Sequence, residues 1–158
     1  MIFRSVRLPE GVPGSLWLSA MPGRFNSWRE FEREAQQEKL HMVVCLTGRD
    51  EMRELSPQYH AAVEKGGTSF EWVHLPVPNF GVPQDRAAFR EGVDRVVQAL
   101  QAGRSVMLHC AAGMGRTGSM AACVLKALGL SSHEALERVR AAGSNPQNAA
   151  QSGFVDWF

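Results

Sequence analysis

The sequence contains little cysteine, no excess of charge of one sign and no long apolar run, and each shortage excludes a class of protein. Its 158 residues include three cysteines, without the paired short spacings of a zinc site or the density of a disulfide scaffold. We therefore expect free thiols. Seventeen basic and sixteen acidic residues give a net charge of +1, which provides no basic field for nucleic acid or anionic lipid. Any anion must be bound by a local site.

No apolar stretch approaches the roughly 20 residues that span a bilayer. Near the N-terminus, Arg4, Arg7 and Glu10 interrupt the apolar residues before a signal-like run can form. These features predict a cytoplasmic protein without a membrane segment. The length and the ordinary composition, 44% hydrophobic and 21% charged, predict one domain over residues 1–158.

Short apolar segments alternate with helical patterns along the chain. The segments typical of buried strands are residues 15–19, 42–46, 70–75 and 105–109. Periodicity and capping residues predict helices over residues 27–40, 57–66, 84–103, 116–128, 131–143 and 148–158. This alternation predicts an α/β fold, with a central mixed, mostly parallel sheet flanked by helices.

The most informative segment is an apolar strand followed by Cys110, two glycines and Arg116 at the start of a helix. Gly113 and Gly115 let successive N–H groups turn inward as an anion nest, and the helix N-terminus adds partial positive charge. A planar guanidinium binds two oxygens of a phosphate at once. The same amides and cation favour the thiolate of Cys110, which is the nucleophilic form. The pattern therefore predicts a nucleophile and an oxyanion site at one tetrahedral anion.

The segment from His109 to Gly118 resembles the signature loop of cysteine-dependent protein tyrosine and dual-specificity phosphatases, His-Cys-x5-Arg-Ser/Thr. The segments SLWLSAMPGR, VVCLTGRDE, FEWVHLPVPNFGVP and PQNAAQSGFVDWF resemble, in that order, parts of small dual-specificity phosphatases. They look most similar to bacterial relatives of the kinase-associated phosphatase. The resemblance covers the chain from about residue 12 onward. It implies a protein-tyrosine-phosphatase-like fold and a phosphomonoester hydrolase without a metal or other cofactor.

The resemblance also implies a role for individual residues. Cys110 attacks phosphorus and forms a phosphocysteine. Thr117 hydrogen-bonds the thiolate, and His109 orients the loop. Gln151 places the water that hydrolyses the intermediate, with Gln147 as a less certain participant. The phosphoryl oxygens are bound by the Arg116 side chain and by the loop amides of Ala111, Ala112, Gly113, Met114, Gly115 and Arg116.

The general-acid position departs from the family pattern. Where the family has an aspartate within His-x-Pro-x-x-Asp-x-Gly-x-Pro, residues 74–83 of this chain contain Asn79. An amide cannot protonate a leaving oxygen, and loss of general acid catalysis costs roughly 10² to 10⁴ in rate. Asp85 is the candidate replacement acid. Asp50 and Glu51, in a loop after a strand, are remoter candidates.

Three explanations for Asn79 stay open. The protein is an enzyme for substrates with good leaving groups or one that uses Asp85, or it is a weakly active or inactive phosphate-binding module, or Asn79 is an engineered change that traps substrate. An enzyme of the protein-tyrosine-phosphatase type is favoured because the chain retains Cys110, Arg116, Thr117 and Gln151. We expect it to act as a monomer on phosphorylated proteins or small phosphomonoesters, with no nucleic acid or membrane partner.

Inositol phosphates and phosphoinositides are an alternative substrate class. Family members that hydrolyse them often carry lysines in the signature loop, where this chain has Ala111, Ala112 and Met114. Arginines elsewhere keep this alternative open as candidates for the rim of the site: Arg24, Arg49, Arg53, Arg86 and Arg90. Cys45 is predicted to be an inert core thiol or, alternatively, the disulfide partner of an oxidised Cys110.

Overall fold

A five-stranded mixed sheet forms the centre of the protein, whose computed structural model describes residues 2–158. The strands are β1 (Arg4–Val6), β2 (Ser15–Ser19), β3 (Leu40–Cys45), β4 (Glu71–His74) and β5 (Ser105–His109). They lie in the order β1-β2-β5-β3-β4. Only the β1–β2 pair is antiparallel, and the other three pairs are parallel. The predicted α/β fold with a mixed, mostly parallel sheet is confirmed.

Helices cover both faces of this sheet. Within residues 2–158 they are α1 (Trp28–Gln37), α2 (Arg49–Leu55), α3 (Pro57–Lys65), α4 (Arg86–Gln101), α5 (Gly115–Ala127), α6 (Ser132–Ala141) and α7 (Ala149–Trp157). None of them is long and apolar enough to cross a membrane.

The core is divided by the sheet because successive side chains of a strand point to opposite faces. Val44 of β3 and Leu108 of β5 pack in one cluster with residues of α4 to α7. Their neighbours Val43 and Met107 pack on the other face against α1. A smaller cluster joins α2 and α3 to Cys45 at the end of β3. Both faces of the central strands are therefore covered.

Several helix starts confirm the capping residues read from the sequence. Ser27 accepts a hydrogen bond from the Glu30 N–H, and the Glu30 carboxylate accepts one from the Ser27 N–H, which completes a capping box. Ser131 accepts from the Glu134 N–H, but the Glu134 carboxylate pairs with Arg138 instead. The second predicted capping box is therefore only half formed.

Two elements differ from the sequence expectation. β1 has three residues, too few for an alternating pattern to identify it. Asp50 and Glu51, expected in a loop, lie in the first turn of α2. Carboxylates are stabilised there by the positive end of the helix dipole. α2 places Glu51 near the carboxyl ends of the parallel strands, where the signature loop also lies.

Candidate active site

Cys110 directly follows β5, a strand that lies between β2 and β3. The loop after it leads into α5, which is buried on every side from Gly115 to Leu125. Gly113 has φ of +75°, and a β-carbon there would lie 2.6 Å from the Ser19 backbone. Close packing and the left-handed backbone both require glycine at this position. The loop is thus fixed between neighbouring strands and the most buried helix.

The Cys110 side chain is 3% exposed and is surrounded by hydrogen-bond donors. The Thr117 hydroxyl donates to its Sγ atom at 3.0 Å, and the Gly113 N–H donates at 3.2 Å. Burial by itself raises the pKa of the Cys110 thiol, but the bonds from Thr117, the charge of Arg116 and the Gly113 amide lower the pKa by more. The thiolate is therefore favoured.

His109 lies at the end of a buried chain of hydrogen bonds. The Trp72 Nε1–H donates to the Tyr59 hydroxyl at 2.8 Å, and that hydroxyl lies 2.7 Å from His109 Nε2. The other ring nitrogen, Nδ1, lies 3.0 Å from the Cys110 carbonyl, which can only accept, so Nδ1 carries the hydrogen and donates it. In a neutral ring Nε2 is then the acceptor, and the Tyr59 hydroxyl donates to it. Burial lowers the pKa of His109 to about 4, so the ring is neutral.

Arg116 is buried and forms a two-point ion pair with Glu51. Its Nη1 and Nη2 atoms lie 3.0 and 2.8 Å from the two carboxylate oxygens, and Nη1 also donates to the Val77 carbonyl at 3.1 Å. The hydrogen bond with Arg116 lowers the pKa of Glu51. Burial would lower the pKa of Arg116, but Glu51 and Cys110 together raise it. Glu51 therefore orients the guanidinium as an anion, which makes it a poor proton donor.

An open cleft of about 250 Å³ lies above Cys110. Its wall includes Arg24, Glu51, Asn79, Phe80 and Gln147. Within residues 2–158, the only carboxylate in this wall is that of Glu51. The position of Asn79 in the wall agrees with the general-acid position implied by the resemblance.

The structure does not bring the other acid candidates to Cys110. The Asp85 carboxylate caps α4 by accepting from the Ala88 N–H at 3.0 Å, and it lines a different cleft. Asp85 is a candidate acid in the sequence because it lies close to Asn79. In the structure its carboxylate is engaged in capping α4. The Asp50 side chain is 98% exposed and pairs with Arg53.

The two glutamines of the C-terminal segment pack against the end of the loop. A β-carbon at Gly115 would lie 2.6 Å from Gln147 Oε1 and 2.8 Å from Gln151 Oε1. Gln151 is buried, accepts from the Gln147 N–H at 2.8 Å and donates to the Gly81 carbonyl at 3.2 Å. Gln147, which the resemblance implies as the less certain participant, lines the cleft at Cys110. Gln151 lines a smaller neighbouring cavity together with Gly81 and Arg116.

The segment after Asn79 is attached to the start of α7. The Asn148 side chain donates to the Phe80 carbonyl at 2.7 Å and also caps α7. Phe80 has a left-handed backbone with φ of +58°, and its side chain is 60% exposed in the cleft wall. A bulky residue in this conformation is strained, and such strain clusters at ligand sites.

Most of the predicted rim arginines lie away from the cleft. Arg24 lines it and donates to the Ala111 carbonyl at 2.9 Å. Arg49 and Arg53 pair with carboxylates on the surface. Arg86 and Arg90 lie over aromatic rings at the C-terminus. Only one of the five arginines therefore contributes to the cleft wall.

The remaining cysteines are buried and unpaired. Burial raises the pKa of Cys45, and it raises the pKa of Cys123 to about 12. Cys45 lies opposite His109 in neighbouring strands, so the strand adjacency assumed for a Cys45–Cys110 disulfide is present. The disulfide itself stays a prediction.

An acidic thiol inside a loop closed by arginine, at the carboxyl ends of parallel strands, defines the class of cysteine-dependent phosphatase domains. The family model described as "Swiss Army Knife protein, DSP-PTPase phosphatase domain" matches residues 21–153. The chain belongs to this family of dual-specificity and tyrosine phosphatase domains, and the predicted membership is confirmed.

Relatives and solved structures agree with this assignment. "Putative tyrosine phosphatase 067L" of Invertebrate iridescent virus 3 is 31% identical over 109 residues, which are 67% of this chain and 42% of the viral protein. The matched part thus spans less than half of that relative. Tk-PTP in its active form is 26% identical, with a TM-score of 0.72 and 92% of each chain covered.

A variant of kinase associated phosphatase (KAP), in which serine replaces the catalytic-site cysteine, has the same fold. Its TM-score is 0.82 at 21% identity, covering 97% of this chain and 90% of that chain. The tyrosine-phosphatase-like fold implied by the resemblance is confirmed.

Proposed function

We propose that the protein hydrolyses phosphomonoesters through a phosphocysteine on Cys110. The supporting observation is the buried Sγ atom that accepts hydrogen bonds from Thr117 and Gly113 beside Arg116. The thiolate attacks phosphorus, the bond to the ester oxygen breaks, and that oxygen takes a proton from water. Water then attacks the phosphocysteine and releases a proton to solvent, the P–S bond breaks, and the thiolate again accepts the hydrogen bond of the Thr117 hydroxyl.

The surrounding residues have defined roles in this proposal. Arg116 and the amides of residues 111–116 bind the phosphoryl oxygens, because the helix start and the glycine turns direct N–H groups at an anion. Gln147 lies in the cleft wall and places the attacking water, while Gln151 fixes the position of Gln147. His109 orients the loop through the Cys110 carbonyl and exchanges no proton with substrate.

The cleft favours aryl phosphates, of which phosphotyrosine is the biological example. Asn79 supplies no proton to the leaving oxygen, and a phenolate, whose conjugate acid has a pKa of about 10, leaves without one far more readily than an alkoxide. The exposed ring of Phe80 lies in the same wall and offers a face to an aromatic substrate. We therefore assign the finer class as protein tyrosine phosphatase. A single arginine, Arg24, on the rim argues against inositol polyphosphates.

The experiment that tests this function is release of p-nitrophenol from p-nitrophenyl phosphate near pH 6. We expect turnover that disappears in Cys110→Ser and persists in the matched control Cys123→Ser, whose thiol is buried in the core. Phosphotyrosine and phosphoserine in the same peptide then test the substrate class. Equal rates on the two peptides would contradict the preference for aryl esters.

A phosphate-binding module without turnover is the second candidate, and Asn79 is the observation that favours it. It predicts no release of p-nitrophenol, while inorganic phosphate still protects Cys110 from alkylation. The same protein samples therefore distinguish the two functions.

We further propose that residues 1–158 act as one domain, as a monomer and in the cytoplasm. The three unpaired cysteines support a reducing compartment. The relation to bacterial phosphatases stays a prediction.

A further inference from the structure

The Gly113 carbonyl anchors the signature loop, residues 110–116, to two side chains from other parts of the fold. Its oxygen accepts hydrogen bonds from Arg4 Nη2 at 2.7 Å and from Ser144 Oγ at 2.5 Å. The C=O and N–H groups of a trans peptide point in opposite directions, since the peptide is planar. A Gly113 carbonyl directed at these two donors therefore turns the Met114 N–H toward the inner side of the loop, where phosphoryl oxygens bind.

Arg4 connects this carbonyl to the end of α6. Its Nη1 atom donates to the Ala142 carbonyl at 2.7 Å and to Ser144 Oγ at 3.0 Å. Because the Ser144 oxygen accepts from Arg4, its hydrogen is left for Gly113. Gly143 provides the space, as a β-carbon there would lie 2.9 Å from Arg4 Nη1. The two donors to the loop are thus coupled to each other.

Arg4 is itself fixed in place by the strand that carries it. In β1 it lies opposite Leu18 of β2. Just before it, the Ile2 and Phe3 N–H groups donate to the two carboxylate oxygens of Glu34 in α1, at 2.7 and 2.8 Å. The side chain of Phe3 is buried against α1. A guanidinium on such an anchored strand can define the position of a loop.

The charge of Arg4 also acts on the nucleophile. Partial burial lowers the pKa of the Arg4 guanidinium, and its attraction to Cys110 opposes that effect. The charged groups around Cys110 are Arg4, Arg24 and Arg116 as cations and Glu51 as an anion, while His109 is neutral and Thr117 and Gly113 donate hydrogen bonds. Arg4 is thus a further cation that favours the thiolate.

We propose that Arg4 is a positioning residue for the hydrolysis proposed above: it fixes the Gly113 peptide so that the Met114 N–H is preorganised for a phosphoryl oxygen. The inference rests on the proposed function of the loop. Arg4 lies outside the matched residues 21–153, so the contribution comes from the N-terminal strand and not from the signature segment itself.

Alkylation of Cys110 by iodoacetate, followed by mass spectrometry, tests the inference without turnover. In Arg4→Met, we expect the midpoint of the pH profile to move to higher pH by about half a unit or more, because a cation near the thiolate is lost. Protection by inorganic phosphate should require about tenfold more phosphate, since bonds from a charged donor no longer fix the loop.

The matched control is Arg7→Met, which removes the same charge from an exposed side chain of the same segment. It should keep the wild-type alkylation profile and phosphate protection. An Arg4→Met protein that matches Arg7→Met in both measurements would overturn the inference.

Arg4→Lys distinguishes the effect of the positive charge on Cys110 from the effect of the hydrogen bonds to the loop. It also replaces Arg4→Met as the test variant if Arg4→Met does not fold. A lysine keeps the cation but has a single side-chain nitrogen, so it cannot reproduce the planar fork in which Nη1 binds the Ala142 carbonyl and Nη2 binds the Gly113 carbonyl. We expect an alkylation midpoint near that of the wild type together with weaker phosphate protection; full protection would refute the positioning role. If the variants differ in alkylation and phosphate protection as expected but the wild-type protein does not turn over p-nitrophenyl phosphate, the proposed hydrolysis is contradicted and the positioning role of Arg4 is not.

Discussion

Asn79 illustrates how one side chain limits the reaction of an otherwise complete site. The nucleophile, the arginine and the hydroxyl donor are assembled around Cys110, and Asn79 occupies the cleft wall. An amide there can hydrogen-bond a leaving oxygen but cannot transfer a proton to it. The rate should therefore depend strongly on the basicity of the leaving group.

Asn79→Asp tests this dependence. We expect kcat/KM on a phosphoserine peptide or another alkyl phosphate to rise by about tenfold or more, because a general acid contributes roughly 10² to 10⁴ when well placed. The rate on p-nitrophenyl phosphate should change little, since its leaving group needs no proton. Asn79→Ala is the control and should show no gain. An equal gain on both substrates would contradict a general-acid effect.

At the scale of elements, α3 and β4 support the loop through hydrogen bonds to His109. Tyr59 of α3 lies between Trp72 of β4 and His109 at the end of β5. Its hydroxyl has partners on both sides in a site from which water is excluded. The position of the Cys110 carbonyl is thus set by packing between a helix and two strands.

Tyr59→Phe removes the hydroxyl and leaves both Trp72 Nε1 and His109 Nε2 without a partner. We expect the free energy of unfolding, measured with urea, to fall by about 1 to 3 kcal/mol. The rate on p-nitrophenyl phosphate should fall as well, because the His109 ring loses the bond that fixes its tautomer.

Trp72→Phe is the comparison for this variant, since it removes the outer bond and leaves Tyr59 bonded to His109. It should retain more activity than Tyr59→Phe at similar stability. Equal activity of the two variants would show that the Tyr59–His109 bond does not position the loop.

For the whole molecule, the buried neutral His109 makes stability depend on pH. Its pKa is about 4 in the folded protein, and a histidine in an unfolded chain has a pKa of about 6.5. Between these values the unfolded chain binds more protons, so stability falls as the pH decreases from about 7 toward 4. Glu51, whose folded pKa is lowered, contributes stability that is lost only at more acidic pH, as its carboxylate becomes protonated.

Urea unfolding at pH 7 and pH 5 measures this effect. We expect His109 to account for a loss of about 2 kcal/mol between the two pH values. In His109→Gln the loss should be smaller by about that amount, whereas His133→Gln, which changes an exposed side chain, should keep it. An unchanged pH dependence in His109→Gln would exclude a buried neutral ring.

The sequence predicts best those features whose residues lie close together along the chain. The loop from Cys110 to Arg116 and the caps at Ser27 and Ser131 depend on residues within a few positions of one another. Asp85 is a further example, because its position three residues before Ala88, at the start of a helix, is itself the local pattern of a cap.

The supports of the loop were not predictable from spacing. Tyr59 and His109 are 50 residues apart, Glu51 and Arg116 are 65 apart, and Arg4 and Gly113 are 109 apart. No periodic pattern in one sequence links such positions. β1, with three residues, gave no pattern by which Arg4 might be placed near the loop.

The separation of these partners has a consequence for the nascent chain. All five strands precede Cys110 in the chain, whereas Ser144, which donates to the Gly113 carbonyl, is added 31 residues after Gly113. The Gly113 carbonyl therefore gains this partner only once the segment after α6 has been synthesised. Full preorganisation of the loop is thus a late event in chain synthesis, although the nucleophile and its nearest donors are made together.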